Sequence, residues 1–149
     1  RFRGRVGDVV SLWTSGSETS RCGLTVSSFM VARGETGRVL GLLDPLSDLA
    51  EEIDRTGRAV VQLLQWQHRD LAEAFAGLTP APGGPFRLAD FEQTSHGPHL
   101  LDAGSWVQVE RESAVEVGWS MLYTCRIVQL SVEDDSDPLI HRRGSYRRL

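Results

Sequence analysis

The chain has 149 residues, about the size of one domain, and its 40% hydrophobic content is that of a globular protein rather than a disordered one. Its formal net charge of −4 argues against a nucleic-acid-binding protein that works by bulk electrostatics. All sixteen basic residues are arginine, which excludes Schiff-base chemistry, a lysine general base and a P-loop. We therefore expect one domain over residues 1–149.

Strand-like segments open the chain. Residues 9–14 (VVSLWT) are a β-branched and aromatic run that ends at a Ser-Gly-Ser turn, which predicts a strand. Residues 23–31 (GLTVSSFMV) combine β-forming side chains with three hydroxyls and predict a second strand. Residues 39–43 predict a third, short strand.

Two helices are expected in the middle of the chain. Asp44 is the predicted N-cap and Pro45 the first residue of a helix that Gly57 closes. Residues 59–64 predict a buried strand, and residues 68–78 predict a second helix with one apolar face.

The second half of the chain is rich in strand patterns. A Pro- and Gly-rich loop over residues 79–85 is followed by three predicted strands at 105–112, 114–117 and 120–132, and by an acidic turn at 133–138. About six strands with two helices inserted among them indicate an antiparallel barrel or sandwich.

Cysteine usage and hydropathy bear on the compartment. Cys22 and Cys125 are too few for a disulfide scaffold and lie in apolar runs, so we expect buried, reduced thiols. No segment approaches the ~20 apolar residues of a membrane helix, and the basic start lacks the apolar core of a signal peptide. A cytoplasmic protein without membrane association is expected.

The densest cluster of small hydroxyls is Thr25, Ser27 and Ser28, inside an otherwise apolar strand. A buried hydroxyl without a partner is costly, so these groups bind something. Either they satisfy neighbouring backbone groups at an edge strand, or an oxygen-rich ligand lies along the strand.

Two further segments have the chemistry of anion binding. The predicted helix start carries Asp44, Ser47 and Asp48, which act either as capping residues or, through Ser47 and the free amides, as a phosphate site. The basic tail carries Arg142, Arg143, Arg147 and Arg148 on either side of Tyr146. These arginines either belong to a solvated terminus or include one that reaches a phosphate with its bidentate fork.

Signatures of other site chemistries are missing from the sequence. Gly-Pro separates His96 from His99, which argues against a helical metal-ligand pair, and the acidic run 133–137 lacks EF-hand spacing. No Ser/His/Asp or Cys/His arrangement can be placed. We expect neither a metal nor a catalytic side chain.

Taken in order, these segments resemble the flavin-reductase-like family of the FMN-binding split barrel. The likeness runs through nearly the whole chain from about Gly7. The matching segments are residues 23–29 (GLTVSSF), 39–44 with Ser47, 61–64, 70–76 (DLAEAFA), 97–100 (GPHL) and 137–149 (DPLIHRRGSYRRL).

This resemblance implies a mainly β fold, a six-stranded Greek-key split β-barrel with two short capping helices, working as a homodimer. It implies an oxidoreductase that transfers a hydride from NAD(P)H to FMN (or FAD) bound near the subunit interface, with a monooxygenase as a further partner. The implied cofactor-binding residues are Thr25, Val26, Ser27, Ser28, Phe29, Asp44, Ser47, Arg143 and Tyr146.

One departure from the family favours an alternative. Reductases of the family often carry Gly-Asp-His, associated with the nicotinamide and flavin face, where this chain has Gly118, Trp119 and Ser120. The alternative is a non-catalytic protein that binds flavin, deazaflavin or haem on the same barrel. A third hypothesis is an empty barrel that serves as a dimer module.

Overall fold

A computed structural model describes residues 2–134 and 137–149 and shows a mainly β protein. Its helices are α1 (Phe2–Arg5), α2 (Asp48–Thr56) and α3 (Arg69–Phe75), with 3₁₀ turns at Trp66–His68 and Pro85–Leu88. Its strands are β1 (Asp8–Val9), β2 (Ser11–Ser15), β3 (Cys22–Val26), β4 (Phe29–Ala32), β5 (Arg38–Leu43), β6 (Arg58–Leu63), β7 (Phe91–Thr94), β8 (Gly97–Leu100), β9 (Trp106–Val117), β10 (Ser120–Ser131), β11 (Ile140–Arg142) and β12 (Ser145–Arg147).

The main sheet is an antiparallel, curled half-barrel of seven strands in the order β3-β2-β6-β9-β10-β5-β4. A hairpin of β7 and β8 and a small sheet of β1, β11 and β12 accompany it. The expected mainly β barrel with few helices is confirmed. The predicted single strand over residues 23–31 is wrong, because the chain breaks at Ser27 and Ser28 into two strands.

The β9–β10 hairpin forms the long central element of the sheet. The predicted separate strands 105–112 and 114–117 are one continuous strand, because a β-bulge at Glu112 absorbs the irregularity in the pattern. Two residues, Gly118 and Trp119, make the hairpin turn, and Gly118 has a positive φ of 58°. Such a turn favours a glycine at a position with positive φ.

The end of α2 was correctly predicted, but its start was not. Gly57 adopts the left-handed conformation at φ 71°, and its N–H donates to the Ile53 carbonyl oxygen at 2.7 Å. The N-cap is Ser47 and not Asp44, since the Ser47 hydroxyl accepts from the Ala50 N–H at 3.2 Å. Asp44 instead closes a turn one step earlier, where its carboxylate accepts from the Leu46 N–H at 2.9 Å.

The second predicted helix over residues 68–78 is also shorter than expected. A 3₁₀ turn, Trp66–His68, precedes α3, and α3 ends at Phe75.

Within the described part of the chain, no helix is both long and apolar enough to cross a membrane.

The core consists of two clusters separated by β2. Successive side chains of this strand point to opposite faces, so Trp13 enters the barrel cluster with Ile53 and Tyr123, while Leu12 enters a second cluster under α3. Every residue of β2 is therefore buried, and the Ser11 hydroxyl donates to the Val26 carbonyl oxygen at 2.6 Å. The strand is buried on both faces although it carries polar residues, because their hydroxyls are hydrogen-bonded.

Trp13 packs so closely against Gly41 that a larger residue at position 41 should destabilise the protein. A Cβ atom at Gly41 would lie 2.5 Å from Cη2 of the Trp13 ring. We expect Gly41→Ala to lower the free energy of unfolding by about 1–3 kcal/mol, the usual cost of overpacking. Chemical denaturation measures it. Gly4→Ala is the control, because a Cβ there meets no atom within 4 Å; equal losses in both variants would contradict this packing.

Candidate functional site

The chain forms a cleft of about 520 Å³ beside the break between β3 and β4, which we call the β3–β4 cleft. One wall is the segment Thr25, Val26, Ser27 and Ser28, together with Leu42 of β5. Four residues that the sequence predicted as cofactor-binding thus line one cavity. The volume lies within the ~300–1,000 Å³ of ordinary small-molecule sites.

The three hydroxyls of this wall have different roles. The Thr25 hydroxyl donates to the Ala72 carbonyl oxygen of α3 at 2.6 Å, and the Ser28 hydroxyl donates to the Leu42 carbonyl oxygen at 2.9 Å. Both satisfy backbone groups, as one of the two sequence hypotheses expected. The Ser27 hydroxyl has no hydrogen-bond partner within residues 2–134 and 137–149, and it lines the cleft. Ser27 is therefore the hydroxyl that is available to a ligand.

The opposite wall comes from the two ends of the chain. Asp8 of β1 is paired with His141 of β11, and both line the cleft with Arg3 and Arg143. The Arg143 N–H donates to the Gly4 carbonyl oxygen at 2.9 Å. The basic tail is therefore not a loose terminus, since it forms the β11–β12 hairpin that closes the cleft.

Sequence reasoning missed Arg3 and His141 as lining residues. Arg143 was the one residue of this wall that it singled out. The pairing of β1 with β11 joins positions more than a hundred residues apart, which no local pattern reveals. The family resemblance, which included the tail, was the signal that pointed to this region.

The other predicted site residues lie outside the lining of the β3–β4 cleft. Phe29 packs against the barrel cluster, and Ser47 caps α2 while its hydroxyl also donates to the Asp44 carbonyl oxygen at 2.7 Å. Tyr146 packs against the second core cluster, and its ring lies 5.5 Å from that of His141. Burial and the Glu73 carboxylate raise the pKa of Tyr146 to about 12, so this phenol stays neutral. Cofactor contacts of Phe29, Asp44, Ser47 and Tyr146 stay predictions.

Trp119 and Ser120 lie at the far tip of the β9–β10 hairpin. The Trp119 side chain is 100% exposed, and Ser120 is paired with Val117 across the turn. Trp119 is therefore not a core residue, and neither residue lines the β3–β4 cleft of its own chain.

Cys22, Cys125 and His68 do not line the β3–β4 cleft. Burial raises the pKa of the Cys125 thiol to about 12, and burial followed by the Glu52 carboxylate raises the pKa of Cys22. Buried His68 accepts from the Gln65 N–H at its Nδ1 (2.9 Å), which leaves Nε2 to donate to Asp102 at 3.0 Å. In the described ranges, no three His, Cys, Asp or Glu side chains are grouped so that they could hold a metal ion.

A second cavity of about 390 Å³ lies at the mouth of the barrel. Its walls are almost wholly apolar and include Phe29, Val39, Val107 and Ile127, with Trp106 at one side. It offers few groups to bind the polar edge or the phosphate of a nucleotide. The β3–β4 cleft has hydroxyl, backbone and guanidinium groups, so it is the better candidate for a nucleotide.

The comparison with protein families gives a match to the flavin reductase like domain over residues 3–149. The chain is 25% identical over 142 residues to the 4-hydroxyphenylacetate 3-monooxygenase reductase component of Pseudomonas aeruginosa, covering 94% of this chain and 84% of that protein. It is 29% identical over 152 residues to the NADH-dependent FMN reductase AsuE2 of Streptomyces nodosus subsp. asukaensis, covering 100% of this chain and 82% of that protein.

Solved structures share the fold. The flavin reductase PheA2 superposes with a TM-score of 0.88 at 22% identity, covering 99% of this chain and 94% of that one. The NADH:FAD oxidoreductase SgcE6 of Streptomyces globisporus C-1027 superposes with a TM-score of 0.89 at 18% identity, covering 100% of this chain and 89% of that one.

Proposed function

Because this chain belongs to the flavin-reductase-like family, we propose that it is an NAD(P)H-dependent flavin reductase that binds FMN in its β3–β4 cleft. The observation that carries the proposal is that Thr25, Val26, Ser27 and Ser28 line the same cavity as Arg143. An apolar and hydroxyl-bearing strand thus faces a cationic chain end, which matches a molecule with a flat ring at one end and a phosphate at the other.

The residues present fit FMN. Leu24, Val26 and Leu42 supply apolar wall, the Ser27 hydroxyl is free to bond the polar edge of a ring, and Arg143 can hold a phosphate. The chemistry that FMN supplies when bound is acceptance of a hydride from NAD(P)H. The protein has to orient the two ligands and keep water away, and no side chain is required as an acid or base.

The proposal extends to an oxygenase partner and to one domain over residues 1–149. The relative from Pseudomonas aeruginosa is named as the reductase component of a monooxygenase, which supports an oxygenase that uses the reduced flavin. FMN is preferred to FAD because the relative AsuE2 is named as an FMN reductase.

The second candidate function is a flavin carrier without efficient nicotinamide chemistry. The observation that favours it is the Gly-Trp-Ser sequence at the hairpin tip, where Trp119 and Ser120 stand in place of the family's Asp and His. Both candidates predict a protein that binds flavin, and they differ in the rate of hydride transfer.

Flavin binding and reduction test the proposal. We expect FMN to bind the protein in a fluorescence titration and to bleach when NADH is added without oxygen. Ser27→Val removes the one unpartnered hydroxyl of the wall and should weaken FMN binding by about 0.5–1.5 kcal/mol. Ser131→Val, a half-buried strand serine outside the cleft, is the matched control. Unchanged FMN affinity in Ser27→Val would contradict an FMN site at this wall of the cleft.

We also propose a homodimer. The outer face of β4, β5, β9 and β10 exposes apolar side chains, among them Met30 (65% exposed), Val115 (55%) and Trp119 (100%). By strand register Leu42, Leu122 and Val115 lie side by side, so this surface is continuous across three strands. A second copy that covers it would shield the adjoining cleft from water, because Leu42 belongs to both.

Sedimentation equilibrium tests the homodimer. At micromolar concentration we expect a mass twice the 16.5 kDa of the chain. Val115→Glu places a charge on the exposed apolar face and should yield a folded monomer. A wild-type protein that sediments as a monomer would contradict the proposal.

Trp119 and Ser120 stand where reductases of the family often carry Asp and His, and we propose that this departure slows hydride transfer. If they replace groups that orient the nicotinamide, Trp119→Asp combined with Ser120→His should raise the rate of NADH-dependent flavin reduction about tenfold or more in stopped-flow measurements. FMN affinity should change little, since neither side chain lines the β3–β4 cleft of its own chain. The melting temperature and the sedimentation of the double variant show whether it keeps the fold and the proposed homodimer, because Trp119 lies on the exposed apolar face. If the wild-type protein already reduces flavin as fast as the double variant, the departure is neutral and the carrier hypothesis loses its support.

A further inference from the structure

Two guanidinium groups from opposite ends of the chain meet at the same cavity. Arg3 of α1 and Arg143 of the β11–β12 turn both line the β3–β4 cleft, and both side chains are exposed to it. Within residues 2–134 and 137–149 neither takes part in an ion pair, whereas several other arginines do. Examples are Arg38 with Glu112, Arg126 with Glu110 and Arg148 with Asp137.

The two arginines are held together by the backbone. The Arg143 N–H donates to the Gly4 carbonyl oxygen at 2.9 Å, next to Arg3 in the chain. The Arg142 guanidinium Nε donates to the Arg5 carbonyl oxygen at 3.2 Å, which fastens the same segment a second time. The position of Arg3 is therefore coupled to that of the tail hairpin, although the two lie at opposite ends of the sequence.

Arg143 has an unusual backbone conformation. Its φ is 54°, and Gly144 follows at φ 78°, so both central residues of this two-residue hairpin have positive φ. A turn of this kind favours Asn or Asp before Gly, and a longer side chain in the left-handed region carries strain. The turn itself has no need of arginine. Arg143 at this position lines the cleft.

The charge at this end of the cleft is net positive. Asp8 is the acidic residue that lines the described part of the cavity, and it is paired across the strands with His141. Two guanidinium groups thus face one carboxylate. Guanidinium groups that have no carboxylate partner favour an anion, and their planar forks match the oxygens of a phosphate.

We infer that Arg3 and Arg143 together form a phosphate subsite of the β3–β4 cleft, built jointly by the N-terminal segment and the C-terminal hairpin. The inference rests on the proposed function for the identity of the ligand, which is a phosphate of FMN or of the nicotinamide dinucleotide. It adds Arg3, which no motif singled out, and it makes the docking of α1 on the tail hairpin a requirement for tight nucleotide binding.

The test compares ligands that differ in their phosphate. Arg3→Gln and Arg143→Asn remove the charges, and Arg33→Gln, an exposed arginine of the β4–β5 loop, is the control. The dissociation constants of FMN and of riboflavin are measured by fluorescence, and the KM for NADH is measured with riboflavin as the flavin. We expect each cleft variant to lose about tenfold for the phosphate-bearing ligand, because a charge-assisted hydrogen bond is lost.

The pattern of loss identifies the phosphate. Weaker FMN binding with unchanged riboflavin binding assigns the subsite to the flavin phosphate. A higher KM for NADH with unchanged flavin binding assigns it to the dinucleotide. Equal losses for FMN and riboflavin, or no loss for any ligand, would overturn the inference.

Two further measurements distinguish a failure of the subsite from a loss of folding and from a failure of the proposed function. Arg143→Asn should melt at the same temperature as the wild-type protein or higher, since asparagine tolerates the left-handed conformation. A lower melting temperature together with weaker riboflavin binding would show that Arg143 has a structural role, and it would overturn the subsite. If the wild-type protein binds no flavin, calorimetry with inorganic pyrophosphate decides. Binding that both cleft variants lose supports the subsite, and absence of binding overturns it.

Discussion

Two residues, Ser27 and Ser28, join the two edge strands of the curled sheet. Strands β3 and β4 are neighbours in sequence, yet they form opposite edges of the curled sheet. The chain therefore crosses the open side of the half-barrel within two residues. Ser28 secures the crossing, because its hydroxyl donates to the Leu42 carbonyl oxygen and its own carbonyl oxygen accepts from the Leu42 N–H, both at 2.9 Å.

This crossing also forms one wall of the β3–β4 cleft, which is the proposed ligand site. It holds the two sheet edges close together, and it leaves the Ser27 side chain beside a cavity rather than in a ladder. The chain ends then close the opposite side through the pairing of Asp8 with His141. The cleft is therefore a product of topology: one wall is a local strand break, and the other is assembled from residues far apart in sequence.

The sequence was informative where local physical chemistry decides the structure. The hydroxyl-rich segment around Ser27, the end of α2 at Gly57 and most strands followed from pattern. The break after Val26 was not predicted, because strand-forming residues flank Ser27 and Ser28 on both sides and two serines alone do not decide between a strand and a crossing. Asp44 looked like a helix cap, since a cap and a turn closed one step earlier have the same composition. No local pattern pointed to Arg3, because its place at the cleft arises from the docking of the two chain ends.

A crystal structure of the protein with bound FMN would show which cavity holds the flavin. We expect flavin density in the β3–β4 cleft, with Ser27 within hydrogen-bond distance of the ligand and a guanidinium group of the chain ends on a phosphate. Density in the apolar cavity of about 390 Å³ at the barrel mouth, or at any position that leaves the Ser27 wall empty, would contradict it.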